Sequence, residues 1–334
     1  MTGSGIASVI ISGLLGGVSA VTHELRTSDA LLRSPLALSR RIGFVQLRGG
    51  SGASATAGYV ASMLARRRAG MVLAVNASAG QANLLWHAGL TRSVGNSASA
   101  DHRRMHPSTA ADARAGLPIA GTGLIALDLA LDQLGVSAGT WFEQVTPIAR
   151  FYDLVITDWG VRHRQVDLRQ VARASHVVCL VARADRYPAE EAAALVPALS
   201  EVEDQPQVVL ALVDVGRTAG RTPQLLRDQL QVPVLTIPYD ARRAGGRPVG
   251  SRQLPTRTRL AYTRLGTALM AEAVRPSYRR LVAPQFDGSL PVPARGDERP
   301  RPCDWSTGPL GLRVPSAQLK PKSLLPRRQS PTGM

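Results

Sequence analysis

The chain has 334 residues, 44% of them apolar and only 4% aromatic, so it can bury one large core built mostly of Ala, Val and Leu. Two cysteines, Cys179 and Cys303, exclude a disulfide framework and a thiolate metal site. The net charge of +16 is carried almost wholly by arginine, the lysines being Lys320 and Lys322; it reflects either coding bias that enriches Arg and Ala together, or affinity for polyanions such as nucleic acid or anionic lipid.

Ile6, Ile10, Leu14 and Val18 recur at i+4 spacing, which suits a short amphipathic helix packed on protein or on a membrane surface. The stretch lacks a basic leader and falls short of the roughly 20 residues that a bilayer span needs, so the cytoplasm is the expected compartment. Residues 1–40 read as an N-terminal extension. A strand over 42–47 then runs into the Gly-rich turn Arg48-Gly49-Gly50-Ser51-Gly52-Ala53-Ser54 and a helix over 55–68, stopped by Gly70. Strand, Gly-rich turn and helix form the arrangement in which backbone N–H groups and a helix N-terminus face an anion.

A second strand is expected at 71–75. Residues 76–115 are polar and rich in small residues; His102 and His106 stand at i, i+4 without an acidic or thiol partner, which argues against a metal. A strand and turn are expected within 117–127, and further strands at 154–157 ending in Asp158, at 177–181, 208–213 and 232–237. Helices are expected at 189–199, 223–230 and 260–273. Short apolar runs alternating with helices predict a doubly wound, mostly parallel α/β sheet of about seven strands with helices on both faces, over residues 41–275. Ligands of such sheets bind at the carboxyl ends of strands, where the Gly-rich turn and Asp158 are both expected. Residues 276–334 hold 11 of the 23 prolines and read as a Pro/Arg-rich, disordered tail.

Several segments in order resemble the ParA/MinD superfamily of deviant-Walker P-loop ATPases. The loop Arg48–Ser54 is similar to that family's Lys-Gly-Gly-x-Gly-Lys-Ser/Thr. Val72-Leu73-Ala74-Val75-Asn76-Ala77-Ser78 resembles the strand that ends in an acidic residue, with Asn76 in the acidic slot. Tyr152-Asp153-Leu154-Val155-Ile156-Thr157-Asp158 matches Tyr-Asp-x-x-Ile-x-Asp. Ala174–Val181 and Ile237-Pro238-Tyr239-Asp240 match two later elements. The resemblance spans about 40–273. Ser34-Pro35 and Arg40-Arg41-Ile42, with the Arg/Pro-rich character, are similar to the actinobacterial branch, several of whose members accompany type VII (ESX) secretion systems.

The resemblance implies ATP or ADP with Mg²⁺ as ligand, held by Gly49, Gly50, Ser51, Gly52, Ala53, Ser54 and Ala55. It implies Ser54 and Asp158 as the Mg²⁺ residues, and Arg48, Asn76 and Asp158 in the catalytic positions. It also implies a homodimer, protein partners, and a cytoplasmic place reaching the inner face of the membrane. Two departures bear on catalysis. The loop Lys is replaced by Ala53 and the switch carboxylate by Asn76, while the signature Lys is Arg48, which keeps a charge with a larger planar head. Phosphoryl transfer is mostly positioning and charge stabilisation, and two charged parts are missing. Three readings follow: a degenerate family member with weak or no ATPase activity, serving as scaffold or regulatory partner; an active MgATP-dependent dimerising switch; or a DNA-associated partitioning protein that uses Arg103, Arg104, Arg162, Arg164, Arg242, Arg243 and the tail.

Overall fold

A computed structural model of the chain describes residues 22–90, 97–130, 134–162, 165–202 and 206–275. The apolar repeat at 6–18 and the tail at 276–334 lie outside the described residues. Helix α1 (22–33) precedes β1 (Arg40–Gln46), α2 (Ala53–Arg67), β2 (Val72–Asn76), α3 (Leu84–His87), α4 (Ala98–Met105) and α5 (Ala110–Ala113). Then follow β3 (Ile125–Asp128), α6 (Ala138–Ala149), β4 (Leu154–Val161), α7 (Gln165–Ala174), β5 (Val177–Arg183), α8 (Arg186–Ala193) and α9 (Val196–Ser200). The order closes with β6 (Gln207–Val213), α10 (Thr222–Gln229), β7 (Val234–Ile237), α11 (Ala241–Ala244) and α12 (Thr256–Val274).

The seven strands form one sheet in the order β3-β2-β4-β1-β5-β6-β7, and every pairing is parallel. The strands are buried on both faces, as a parallel sheet covered by helices requires. Successive residues of a strand point to opposite faces, so Phe44 and Cys179 join one core while Val45 and Leu180 join the other. The first core packs Leu32 of α1, Val60 and Leu64 of α2, and Tyr262, Leu265 and Leu269 of α12. The second packs Trp141 and Ile148 of α6, Val171 of α7 and Leu199 of α9. Cys179 is fully buried, and burial pushes its thiol well above the ordinary range, as an inert core residue requires.

Three expected boundaries differ, each for a local reason. The helix expected over 189–199 is two helices, α8 and α9, because Pro197 in the first turn of α9 has no N–H to continue the ladder. The strand and turn expected within 117–127 come as a turn first, and the strand starts at Ile125 and runs past 127 to Asp128. Before it the chain turns at Gly121–Gly123, where the Gly123 amide donates to the Ala120 carbonyl (2.9 Å) and Ile119 bridges Ile125 antiparallel. Strand β4 does not end at Asp158 but runs on to Val161, past an irregularity in its pairing with Phe44–Gln46. Asp158 is therefore anchored inside a strand rather than carried on a loop.

Candidate functional site

The Gly-rich turn joins β1 to α2 at the carboxyl edge of the central strand. Gly50 and Gly52 have φ of 79° and 80°, the left-handed region in which other residues are strained. Gly52 is the N-cap of α2, supplies no side-chain cap, and is followed by a first turn without an acidic residue. The Ser51 hydroxyl donates to the Arg48 carbonyl (3.0 Å) and closes the turn. Among the described residues, no acceptor meets the amide N–H of any residue from Gly49 to Ala55. A Cβ at Gly49 or Gly50 would meet nothing within 4 Å, so the turn lies open. Seven adjacent donors without acceptors at an uncapped helix start make a cradle for an anion. Ala53 is fully buried in the core with Phe44 and Ala57 and brings no charge to the cradle.

A chain of polar side chains runs from this turn across three strands. The Asp158 carboxylate, beside the Ser54 side chain, accepts from the amides of Gly160 (3.0 Å) and Leu84 (3.2 Å) and from the Ser78 hydroxyl (3.3 Å). Asp158 is fully buried, and burial pushes its carboxyl above the ordinary value despite those donors. The Ser78 hydroxyl also reaches Asn76 Oδ1 (2.8 Å), and Asn76 Nδ2 donates to Asp128 Oδ1 (2.7 Å). Asp128, Asn76 and Asp158 lie side by side on β3, β2 and β4, in register. Asn76 thus separates two carboxylates. An amide there can donate to Asp128, whereas a carboxylate would repel it.

Ser54 and Asp158 supply the hard oxygen donors that Mg²⁺ prefers, and the amide cradle supplies the donors that a phosphate group needs. The residues present fit such a pair of ligands. Arg48, at the start of the turn, is engaged within its own chain. Its Nε donates to Glu191 Oε2 (2.9 Å) and its Nη2 to Glu191 Oε1 (2.9 Å), and its guanidinium lies 5.4 Å from the centre of the Tyr187 ring. The hydrogen bond from Arg48 holds the Glu191 carboxyl below its ordinary value.

Of the arginines grouped for phosphate contact, Arg104 is buried and bonded to the Ala115 carbonyl and to Asp101. Arg162 is spent on the carbonyls of Val136 (2.7 Å) and Ala77 (3.3 Å). Arg243 is half-buried against the Tyr262 ring. Arg164 lies outside the described residues. Sequence reading missed Ser78, Asp128, Glu191 and Tyr187, since only the folded chain brings them to the turn. Ser78 and Asp128 could have been suspected as hydroxyl and carboxylate at the ends of apolar runs.

No family model matches the chain, and no curated protein matches it. Solved structures do. A ParA family ATPase from Chlorobium tepidum is 20% identical, with a TM-score of 0.50 over 69% of this chain and 98% of that one. MinD of the MinC:MinD cell division complex of Aquifex aeolicus is 18% identical, with a TM-score of 0.51 over 72% and 98%. The cell division ATPase MinD of Pyrococcus furiosus is 17% identical, with a TM-score of 0.50 over 70% and 99%. This chain has the ParA/MinD fold. The seven-stranded parallel, P-loop NTPase-like sheet is therefore shared with these ATPases. No helix of the described residues is long and apolar enough to cross a membrane.

Proposed function

We propose that this chain is a degenerate ParA/MinD-like protein that binds a nucleoside di- or triphosphate, ATP or ADP, with weak or no hydrolysis, and acts as a scaffold or regulatory partner. The observation that carries this reading is the row of acceptor-free amides from Gly49 to Ala55 beside a buried Ala53. The cradle for phosphate is kept and the charge that would work on it is not. In this reading the amides hold the phosphates, and Ser54 and Asp158 hold Mg²⁺, which when bound offsets phosphate charge. Asn76 holds no proton-accepting carboxylate towards the site, because its amide is engaged with Ser78 and Asp128. Losing one charged stabiliser costs on the order of 10²–10³ in rate. Homodimerisation and a type VII secretion partner belong to this proposal on the strength of the sequence resemblance.

Calorimetry with ADP and ATP, each with and without Mg²⁺, tests the binding half. Phosphate release followed over hours tests the other half. Heats of binding with release at background support the reading. Turnover near 1 s⁻¹, the low end of kinase rates, refutes the pseudo-ATPase. Absence of any nucleotide heat refutes the cradle.

A further inference from the structure

Arg162 directly follows β4, and its backbone amide donates to the carbonyl of Gln46 (2.8 Å), the last residue of β1 before the Gly-rich turn. Its Nη2 donates to the carbonyls of Val136 (2.7 Å) and Ala77 (3.3 Å), and its Nη1 to that of Val161 (3.2 Å). The guanidinium lies 5.9 Å from the centre of the Trp159 ring. Gly135 leaves room for it, since a Cβ there would lie 3.0 Å from Nη1. This residue thus bonds the ends of β1, β2 and β4 and the connection that enters α6.

The tie bears on Ala77 and Ser78. β2 pairs with β4 as far as Asn76 and Asp158, and after Ser78 the chain enters the exposed residues 79–82. Past Asn76 the Ala77 amide is held by the Asp158 carbonyl (2.9 Å), and the Ala77 carbonyl accepts from the Val136 amide (3.1 Å) and from Arg162 Nη2. The Ser78 hydroxyl stands 2.8 Å from Asn76 Oδ1 and 3.3 Å from Asp158 Oδ2. That second contact is already longer than the usual O–H···O range, so drift of Ala77 breaks it. Burial lowers the pKa of the Arg162 guanidinium, and the charges of Asp167 and Asp158 oppose that shift, so Arg162 also acts on the Asp158 carboxylate through space.

We propose that Arg162 is a positioning residue of the nucleotide–Mg²⁺ site: by fixing Ala77 against the ends of β1 and β4 it keeps Ser78 on Asp158, and so steadies the carboxylate that holds Mg²⁺. The proposal rests on the nucleotide reading above and adds the residue on which the metal half of that site depends. Arginine suits the task, because two nitrogens of one planar head reach carbonyls of three segments at once. A lysine brings a single nitrogen on a flexible stem and holds fewer of them in place. Changing the side chain leaves the amide bond to Gln46 and the Gly49–Ala55 cradle as they are. The loss therefore falls on the metal and not on the phosphates.

The test uses the full chain. Amide hydrogen exchange over residues 76–85, read without ligand, should speed up about tenfold in Arg162→Ala, the scale of one lost bond to a charged group, and recover in part in Arg162→Lys. Guanidinium ion at millimolar concentration should restore protection in Arg162→Ala, entering by the cleft of about 200 Å³ that Arg162 lines with Trp159 and Asp167. Calorimetry then compares ADP with and without Mg²⁺. The gain in affinity that Mg²⁺ brings should fall about tenfold or more, the cost of removing a support of a metal ligand, while ADP alone binds as in wild type. Arg150→Ala, which loses a bond to the Pro107 carbonyl (3.0 Å) at the C-terminal end of α6, should change neither. Exchange over 76–85 equal to wild type overturns the proposal. An equal loss of ADP affinity with and without Mg²⁺ marks a general distortion and overturns it too. If Arg162→Ala does not fold, Arg162→Lys carries both measurements under the same criteria. Wild type that binds no ADP refutes the nucleotide reading and the metal role with it, whereas wild type that binds ADP beside unchanged exchange in the variant refutes the role of Arg162 alone.

Discussion

Arg48 and Glu191 form a two-pronged ion pair, with Nε and Nη2 of the one at 2.9 Å from Oε2 and Oε1 of the other. The cation next to the amide cradle is thereby neutralised by α8 of its own chain. A phosphate group entering the turn competes with Glu191 for it.

Glu191→Gln should therefore tighten binding of pyrophosphate or MgADP by about two- to fivefold, the scale of an exposed pair. Arg48→Ala should weaken it, and the double variant should match Arg48→Ala, because Glu191 acts only through Arg48. Melting temperatures should stay close to wild type, since the Arg48 side chain is 59% exposed. Calorimetry on the four proteins checks this. Equal affinities in wild type and Glu191→Gln would show that the pair has no bearing on the cradle.

His87 gives the folded chain a pH dependence. Burial, then the charge of Arg243, lowers its pKa from 6.5 to about 4. Below pH 6.5 the unfolded chain takes up a proton at this position that the folded chain refuses until about pH 4. Its stabilisation is present above pH 6.5 and is lost as pH falls towards 4. The loss is at most about 3 kcal/mol and is reduced by solvent screening. Urea unfolding at pH 7.5 and pH 5 should show wild type losing more stability than His87→Gln. Parallel losses would mean that the imidazole is protonated freely in the fold.

The parallel sheet and the Gly-rich turn were legible because both have local signatures. Apolar runs of four to six residues carry the strands, and Gly49, Gly50 and Gly52 fall between a strand and a helix. The place of Asp158 at the end of an apolar run was legible, yet its strand was read short, since Trp159 and Gly160 look like a turn in sequence. The partners of Arg48 were not legible. Glu191 is 143 positions away and meets Arg48 only because β5 pairs beside β1 and α8 follows β5. The role of Asn76 was read as a missing charge. Its other half, the separation of Asp128 from Asp158, depends on a strand register that periodicity does not encode. Runs such as Arg242-Arg243 gave no hint that one would be exposed and the other half-buried.

Gly160 has φ of 64°, and a Cβ there would lie 2.6 Å from the Ser78 Cβ. Gly160→Ala should cost about 1–3 kcal/mol from backbone strain and overpacking, and should push Ser78 away from Asn76 and Asp158. Gly49→Ala, whose Cβ meets nothing within 4 Å, serves as the control and should unfold close to wild type. The comparison is a pair of urea transitions read by circular dichroism. A Gly160→Ala midpoint equal to the control would show that β4 yields at this point.

Asn76→Asp restores the carboxylate that the resembled family carries, and the geometry opposes it. Asn76 Nδ2 lies 2.7 Å from Asp128 Oδ1, so the variant places two acceptors where a donor met an acceptor. Asp158 stands on the other side, in register and fully buried. Three neighbouring carboxylates cannot all ionise cheaply, so one of them will hold its proton to a higher pH in the folded state than in the unfolded chain. A raised folded pKa stabilises at low pH, and that stability is lost as pH rises through it. The variant should therefore be less stable than wild type at pH 7.5, by about 1–3 kcal/mol for the lost hydrogen bond and unpaired acceptor, and should recover part of the gap at pH 5. It should also fail to raise phosphate release, because Ala53 still leaves the cradle without its cation. Urea unfolding at the two pH values and a phosphate-release assay decide the matter. A variant as stable as wild type at pH 7.5, or one that turns over nucleotide, would show that Asn76 is a dispensable substitution rather than the spacer between Asp128 and Asp158.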